Sequence, residues 1–177
     1  MMHLNTASML RESLPEMLCI AEYCFITRKK NGGCYGYPCA ILLFTIADTI
    51  GSYYENSSYS VIVGGKSKKI GSDYKHFYIF NSSEYYGQDF TENEIKKLYD
   101  NFRSVLNHNL ALPPNHTLYI GEQTDPLLKY DRNKHEPWIS LAAFIKFSKN
   151  VVERFLKEID LVVPNSKQTE NISKKVF

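Results

Sequence analysis

Apolar residues recur at helical spacing in four stretches, separated by runs of turn-forming and polar residues. Leu14, Met17, Leu18, Ala21 and Phe25 share one face of a first helix. Ser13 and Glu16 have the S/T-x-x-E form of a capping box, with Pro15 near the first helical position, so this helix is predicted to open there. The run KKNGG stops it near residue 29. Pro38 opens a second helix, YPCAILLFTIADTIGSYY, whose apolar residues surround nearly the whole circumference and predict a position at the centre of the fold. Thr91 and Glu94 form another capping box, followed by Ile95, Leu98, Tyr99, Phe102, Val105 and Leu106 on one face. Pro137 precedes the last helix, WISLAAFIKFSKNVVERFLKEI, with Ile139, Phe144, Ile145, Val151, Val152, Phe155 and Leu156 toward the core, and Pro164 ends it.

The stretches between are less regular. Residues 55 to 90 are rich in Ser, Gly and Tyr, with SVIV as a strand candidate and Lys66, Lys68 and Lys69 as a small basic loop. So long an excursion between helices is unusual unless it has a function or its own ordered elements. HTLYIGEQTDPLLKYDR reads as a short hairpin or an extended connection. The tail NSKQTENISKKVF is polar without a period, which predicts a mobile end. The expected architecture is all-α, a bundle of four main helices with a short β-hairpin or irregular insert, in one domain over residues 1–160 and a tail over 161–177.

Composition agrees with one ordinary domain: 177 residues, 44% hydrophobic and 14% aromatic, suffice for a single core. With 21 basic and 19 acidic residues the net charge is only +2, so contact with nucleic acid has to come from a local patch. The N-terminal segment lacks a basic region followed by a continuous apolar one, which predicts no signal peptide and a cytoplasmic location. The longest apolar run, Cys39 to Ile50, contains Asp48 and falls well short of the roughly 20 residues that span a bilayer.

Candidate chemistry is sparse. Cys19, Cys24, Cys34 and Cys39 have a C-x4-C, x9, C-x4-C spacing. A tetrahedral zinc site would need the four sulfurs within about 4 Å of one another. Cys19 and Cys24 point about 140° apart on a helix, so the reading is reduced thiols and no metal. His116 and His135 have no nearby nucleophile and read as surface or hydrogen-bonded loop histidines. Asp48, inside the most apolar helix, is the notable buried acid, expected to pair with Arg103 or another cation that fixes helix packing.

The stretch KKLYDNFRSVLNHNLALPPNH places Arg103 and His108 near the end of the third helix. Arginine holds phosphate through parallel hydrogen bonds, and histidine moves a proton near neutral pH. Together they suffice for RNA cleavage by attack of the adjacent 2′-hydroxyl, leaving a 2′,3′-cyclic phosphate without a metal or cofactor, and DNA lacks that hydroxyl. On a regular helix the pair does not share a face, so convergence requires the helix to distort or a second subunit to contribute. The structural alternative is that Arg103 pairs with Asp100 or another nearby acid while His108 caps the last carbonyls.

The order AILLFTIADTIGSYY, then HFYIF, then IKKLYDNFRSVLNHNLALPP, then an extended piece and a final helix resembles the HEPN-domain family (higher eukaryotes and prokaryotes nucleotide-binding) over most of residues 10 to 160. The resemblance rests on RSVLNH as an R-x4-H motif. It implies an up-and-down four-helix bundle and a homodimer with Arg103 as phosphate binder and His108 as proton-transfer residue, supported by Ser104 and Asn107. It further implies RNA as substrate, no membrane or DNA partner, and a neutralising protein partner of the toxin–antitoxin kind. Family members often carry Asn, Asp or His where this chain has Ser104. A non-catalytic HEPN module that binds nucleotide, RNA or a protein partner is the alternative.

Overall fold

The structure is a computed structural model and describes residues 5–30, 32–109, 111–130 and 137–176. The chain is mostly helical. Two long helices, α1 (Thr6–Ile26) and α2 (Gly36–Tyr53), are followed by a hairpin of β1 (Ser60–Val63) and β2 (Lys66–Lys69) and a 3-10 helix (Asp73–Asn81). One further helical run comprises α3 (Glu92–Lys97), a wide π-type segment (Leu98–Ser104) and α4 (Val105–Asn109). Strands β3 (Thr117–Tyr119), β4 (Leu128–Tyr130) and β5 (Pro137–Ser140) then lead into α5 (Leu141–Val162) and α6 (Lys167–Val176).

The central place of α2 follows from its sequence. Cys39, Ala40, Leu43, Phe44, Ile46, Ala47 and Ile50 have no exposed surface, and α2 packs against α1, α5 and the 3-10 helix. Phe44 is the hub of an aromatic cluster, with ring centroids 5.8 Å from Phe77, 6.2 Å from Phe102 and 5.0 Å from Phe144. One side chain thereby joins four elements. The residue 55–90 segment is ordered by its own contacts. The Asn81 amide donates to the carbonyls of Ile62 and Phe90 and accepts from the Phe90 N–H, tying β1 to the lead-in of α3.

Several boundaries differ from the sequence expectation. Helix α1 opens at Asn5, where a capping box with Ser8 draws Ala7 and Leu10 into the core, and Pro15 sits inside the helix on its exposed side. Burial of the first two turns outweighs the roughly 3 kcal/mol that an interior proline costs. The predicted last helix begins instead as strand β5, and Ser140 caps α5 by accepting from the Ala143 N–H. Strands β3 and β4 do not form a hairpin with each other: β5 lies between them, parallel to β3 and antiparallel to β4. The expected short β-hairpin is present as β1–β2, with β1 the SVIV segment, and the three-stranded sheet β3–β5–β4 is the departure from an all-α description. Lys66, Lys68 and Lys69 lie on strand β2, and the stretch read as a mobile tail contains α6. Thr91 and Glu94 form the capping box expected of them.

Candidate functional site

The third helical run is where the sequence points to chemistry. Its buried stripe is Ile95, Leu98, Phe102 and Leu106, and the last three are spaced four residues apart. Four-residue spacing drifts around a regular α-helix, whereas a wide turn keeps such residues on one side, and wide turns inside helices are frequent at functional sites. Arg103 lies in this wide turn, with its guanidinium carbon 5.2 Å from the centre of the Tyr99 ring.

Arg103 faces α2, where its Nη2 donates to Asp48 Oδ2 at 2.7 Å. The other Asp48 oxygen meets His76 Nδ1 at 3.0 Å, and His76 Nε2 stands 3.5 Å from Glu55 Oε2. Lys167 of α6 completes the chain by donating to Glu55 Oε1 at 2.9 Å. The side chains are 25% exposed for Arg103, 17% for Asp48, 16% for His76 and 12% for Glu55, so the linked groups are neither sealed nor fully wet. Burial alone would raise the Glu55 carboxyl, but hydrogen bonds from Lys167 and His76 outweigh it and hold its pKa below the ordinary value.

A glycine makes this assembly possible. Asp48 and Gly51 are three residues apart on α2 and share a face. A Cβ at Gly51 would lie 2.2 Å from the His76 carbonyl oxygen, so only glycine lets the 3-10 helix seat the His76 backbone against α2. Asp48 then takes the ring. Arg103 Nε is buried and has no hydrogen-bond partner among the described residues.

The pairing of Asp48 with Arg103 matches the expectation for that acid, and Asp100 binds Lys96 instead. The His108 side chain is exposed on α4 and makes no hydrogen bond among the described residues. Arg103 and Ser104 end the wide turn and α4 follows, so at helical spacing the Arg103 and His108 side chains leave the axis about 140° apart and not on one face. Ser104 is half-buried at the end of the wide turn, and Asn107 is exposed beside His108. His116 is a hydrogen-bonded loop histidine, 3.0 Å from both Asn101 Nδ2 and the Pro114 carbonyl. His135 lies outside the described residues.

All four cysteines are free thiols, with Cys19 exposed and Cys34 and Cys39 buried. Burial, with Cys34 and Cys24 nearby, pushes the Cys39 thiol up to about 12. Among the described residues no three His, Cys, Asp or Glu side chains are grouped to hold a metal, and no helix is long and apolar enough to cross a membrane.

The sequence reading missed His76. It lies in a 3-10 segment without the α period, and only the close approach at Gly51 places it beside Asp48. No family model, curated protein or solved structure matches the chain.

Proposed function

We propose that the protein is a metal-independent endoribonuclease of the HEPN type, a cytoplasmic homodimer that cleaves RNA by 2′-hydroxyl attack. In this reading α1, α2, the α3–α4 run and α5 are the four bundle helices, and the two sheets are inserts. The observation that carries the proposal is the state of Arg103. One nitrogen of its guanidinium is fixed by Asp48 and the side chain is partly exposed, which suits a pre-oriented phosphate clamp. His108, exposed and unengaged among the described residues, supplies a proton-transfer group. Because the two leave the helix on different sides, the site takes Arg103 from one subunit and His108 from the other. A neutralising protein partner would cover that composite cleft.

A second reading has its own observation. The linked groups from Arg103 to Lys167 already satisfy one another, as in a structural network, which favours a non-catalytic module that binds nucleotide, RNA or protein. Arg103→Ala and His108→Ala proteins separate the two. Each is expected to be inactive on RNA, and mixing them under subunit exchange is expected to restore cleavage, because one site of the mixed dimer is intact. Wild-type protein that is folded, free of partner and still inactive would support the binding module.

A further inference from the structure

Strand cleavage by a 2′-hydroxyl moves two protons: one leaves the attacking hydroxyl and one must reach the departing 5′-oxygen. Arg103 has no proton to give, and His108 supplies one group only. We infer that His76 is the second proton-transfer residue, the acid that protonates the 5′-oxygen of the phosphate held by Arg103. This rests on the endoribonuclease reading.

The geometry supports it in three ways. Asp48 bridges Arg103 and His76 through its two oxygens, so Arg103 Nη2 and His76 Nδ1 stand within about 8 Å, and Nε2, across the ring, within about 10 Å of the guanidinium. The ring is held in place twice, by the Asp48 carboxylate on Nδ1 and by the backbone seat at Gly51, as a histidine acting in catalysis requires. Nε2 meets only Glu55, at a long 3.5 Å, and Glu55 has a shorter bond to Lys167. Nε2 is therefore the nitrogen with a donor to spare. Since both ring nitrogens face carboxylate oxygens, only the imidazolium donates at both ends, and it is the form that carries the proton to be given. The charged groups facing the ring are Asp48 of α2 and Glu55 in the turn just after α2, with Arg103 behind Asp48 and Lys167 behind Glu55.

The step balances. His108 accepts the 2′-hydroxyl proton as O2′ bonds to phosphorus, and the P–O5′ bond breaks with its electron pair on O5′. His76, starting as the imidazolium, gives its Nε2 proton to O5′ and becomes neutral, with Nδ1–H still on Asp48.

The test compares ordinary RNA with RNA carrying sulfur in place of the bridging 5′-oxygen at the cleaved bond. A thiolate leaves without an acid, because its conjugate thiol has a pKa near 8.5. His76→Asn keeps an N–H toward Asp48 but cannot transfer a proton, and His76→Gln serves if the first variant melts early. The expected result is a loss of about 10²–10⁴-fold on ordinary RNA and restoration to within about tenfold of wild type on the sulfur substrate. His108→Ala is expected to lose activity on both. An equal loss by the His76 variants on both substrates, no loss on either, or rescue of His108→Ala in their place overturns the assignment while leaving the nuclease standing. Wild-type protein that cleaves neither substrate overturns the nuclease reading itself.

Discussion

Replacing Gly51 with alanine sets two terms of opposite sign against each other. Alanine gains about 1 kcal/mol over glycine in a helix interior. Against that, the new Cβ would stand 2.2 Å from the His76 carbonyl oxygen, 2.8 Å from its carbon and 3.0 Å from its Cα, all backbone atoms with no rotamer to change. Ordinary contact needs about 3.5 Å, so α2 and the 3-10 helix must separate by about 1 Å. Such overpacking costs about 1–3 kcal/mol, here at the upper end because backbone meets backbone. Separation also stretches the His76–Asp48 bond, a charged hydrogen bond worth about 1.5–3 kcal/mol, here at the lower end because the groups are partly exposed. The net expectation is a loss of about 2–4 kcal/mol, or about 5–15 °C in Tm. Gly71→Ala is the control: its Cβ would meet only the Lys75 side chain, which can swing away, and a change under about 1 kcal/mol is expected. Thermal and urea unfolding followed by circular dichroism read both variants. Gly51→Ala as stable as wild type would refute the close approach that positions His76.

Three further outcomes are expected. Hydrogen bonds from Lys68, Tyr78 and Tyr74 hold Glu92 at about 2, below its ordinary 4.5. The folded pKa is depressed, so this stabilisation is present above about pH 4.5 and disappears as pH falls toward 2. The Tm advantage of wild type over Glu92→Gln should shrink across that window, and a constant advantage would contradict it. Asp48→Asn and Arg103→Gln, made singly and together, should show a coupling of about 1–2 kcal/mol in urea unfolding, whereas additive effects would mean that the pair contributes nothing. Alkylation of the folded protein near neutral pH should modify exposed Cys19 first and Cys39, with its thiol at about 12, last, as read by peptide mass spectrometry; equal rates would show that Cys39 is not sealed.

The helices were legible wherever burial and period agree. The unbroken apolar run of Cys39 to Ile50 marks α2 as central, and Thr91 with Glu94 marks the start of α3. Asp48 was legible as a paired acid because a charge in so apolar a helix must be compensated. Other features depend on contacts distant in sequence. Ser13 and Pro15 imitate a helix start, but Ala7 and Leu10 gain more by joining the core. Trp138 and Ile139 fit a helical pattern, yet pair with β3 and β4 as a strand. The wide turn at Leu98–Ser104 has no sequence signature here, and the seat of His76 on Gly51 exists only once the 3-10 helix has docked.

The most direct test of the central claim is incubation of the purified wild-type protein with mixed RNA and DNA in chelator, followed by analysis of the new ends. The account predicts RNA fragments ending in 2′,3′-cyclic phosphate and 5′-hydroxyl, with DNA intact and no cleavage by Arg103→Ala. Intact RNA from folded, partner-free protein, or cleavage that Arg103→Ala retains, would contradict it.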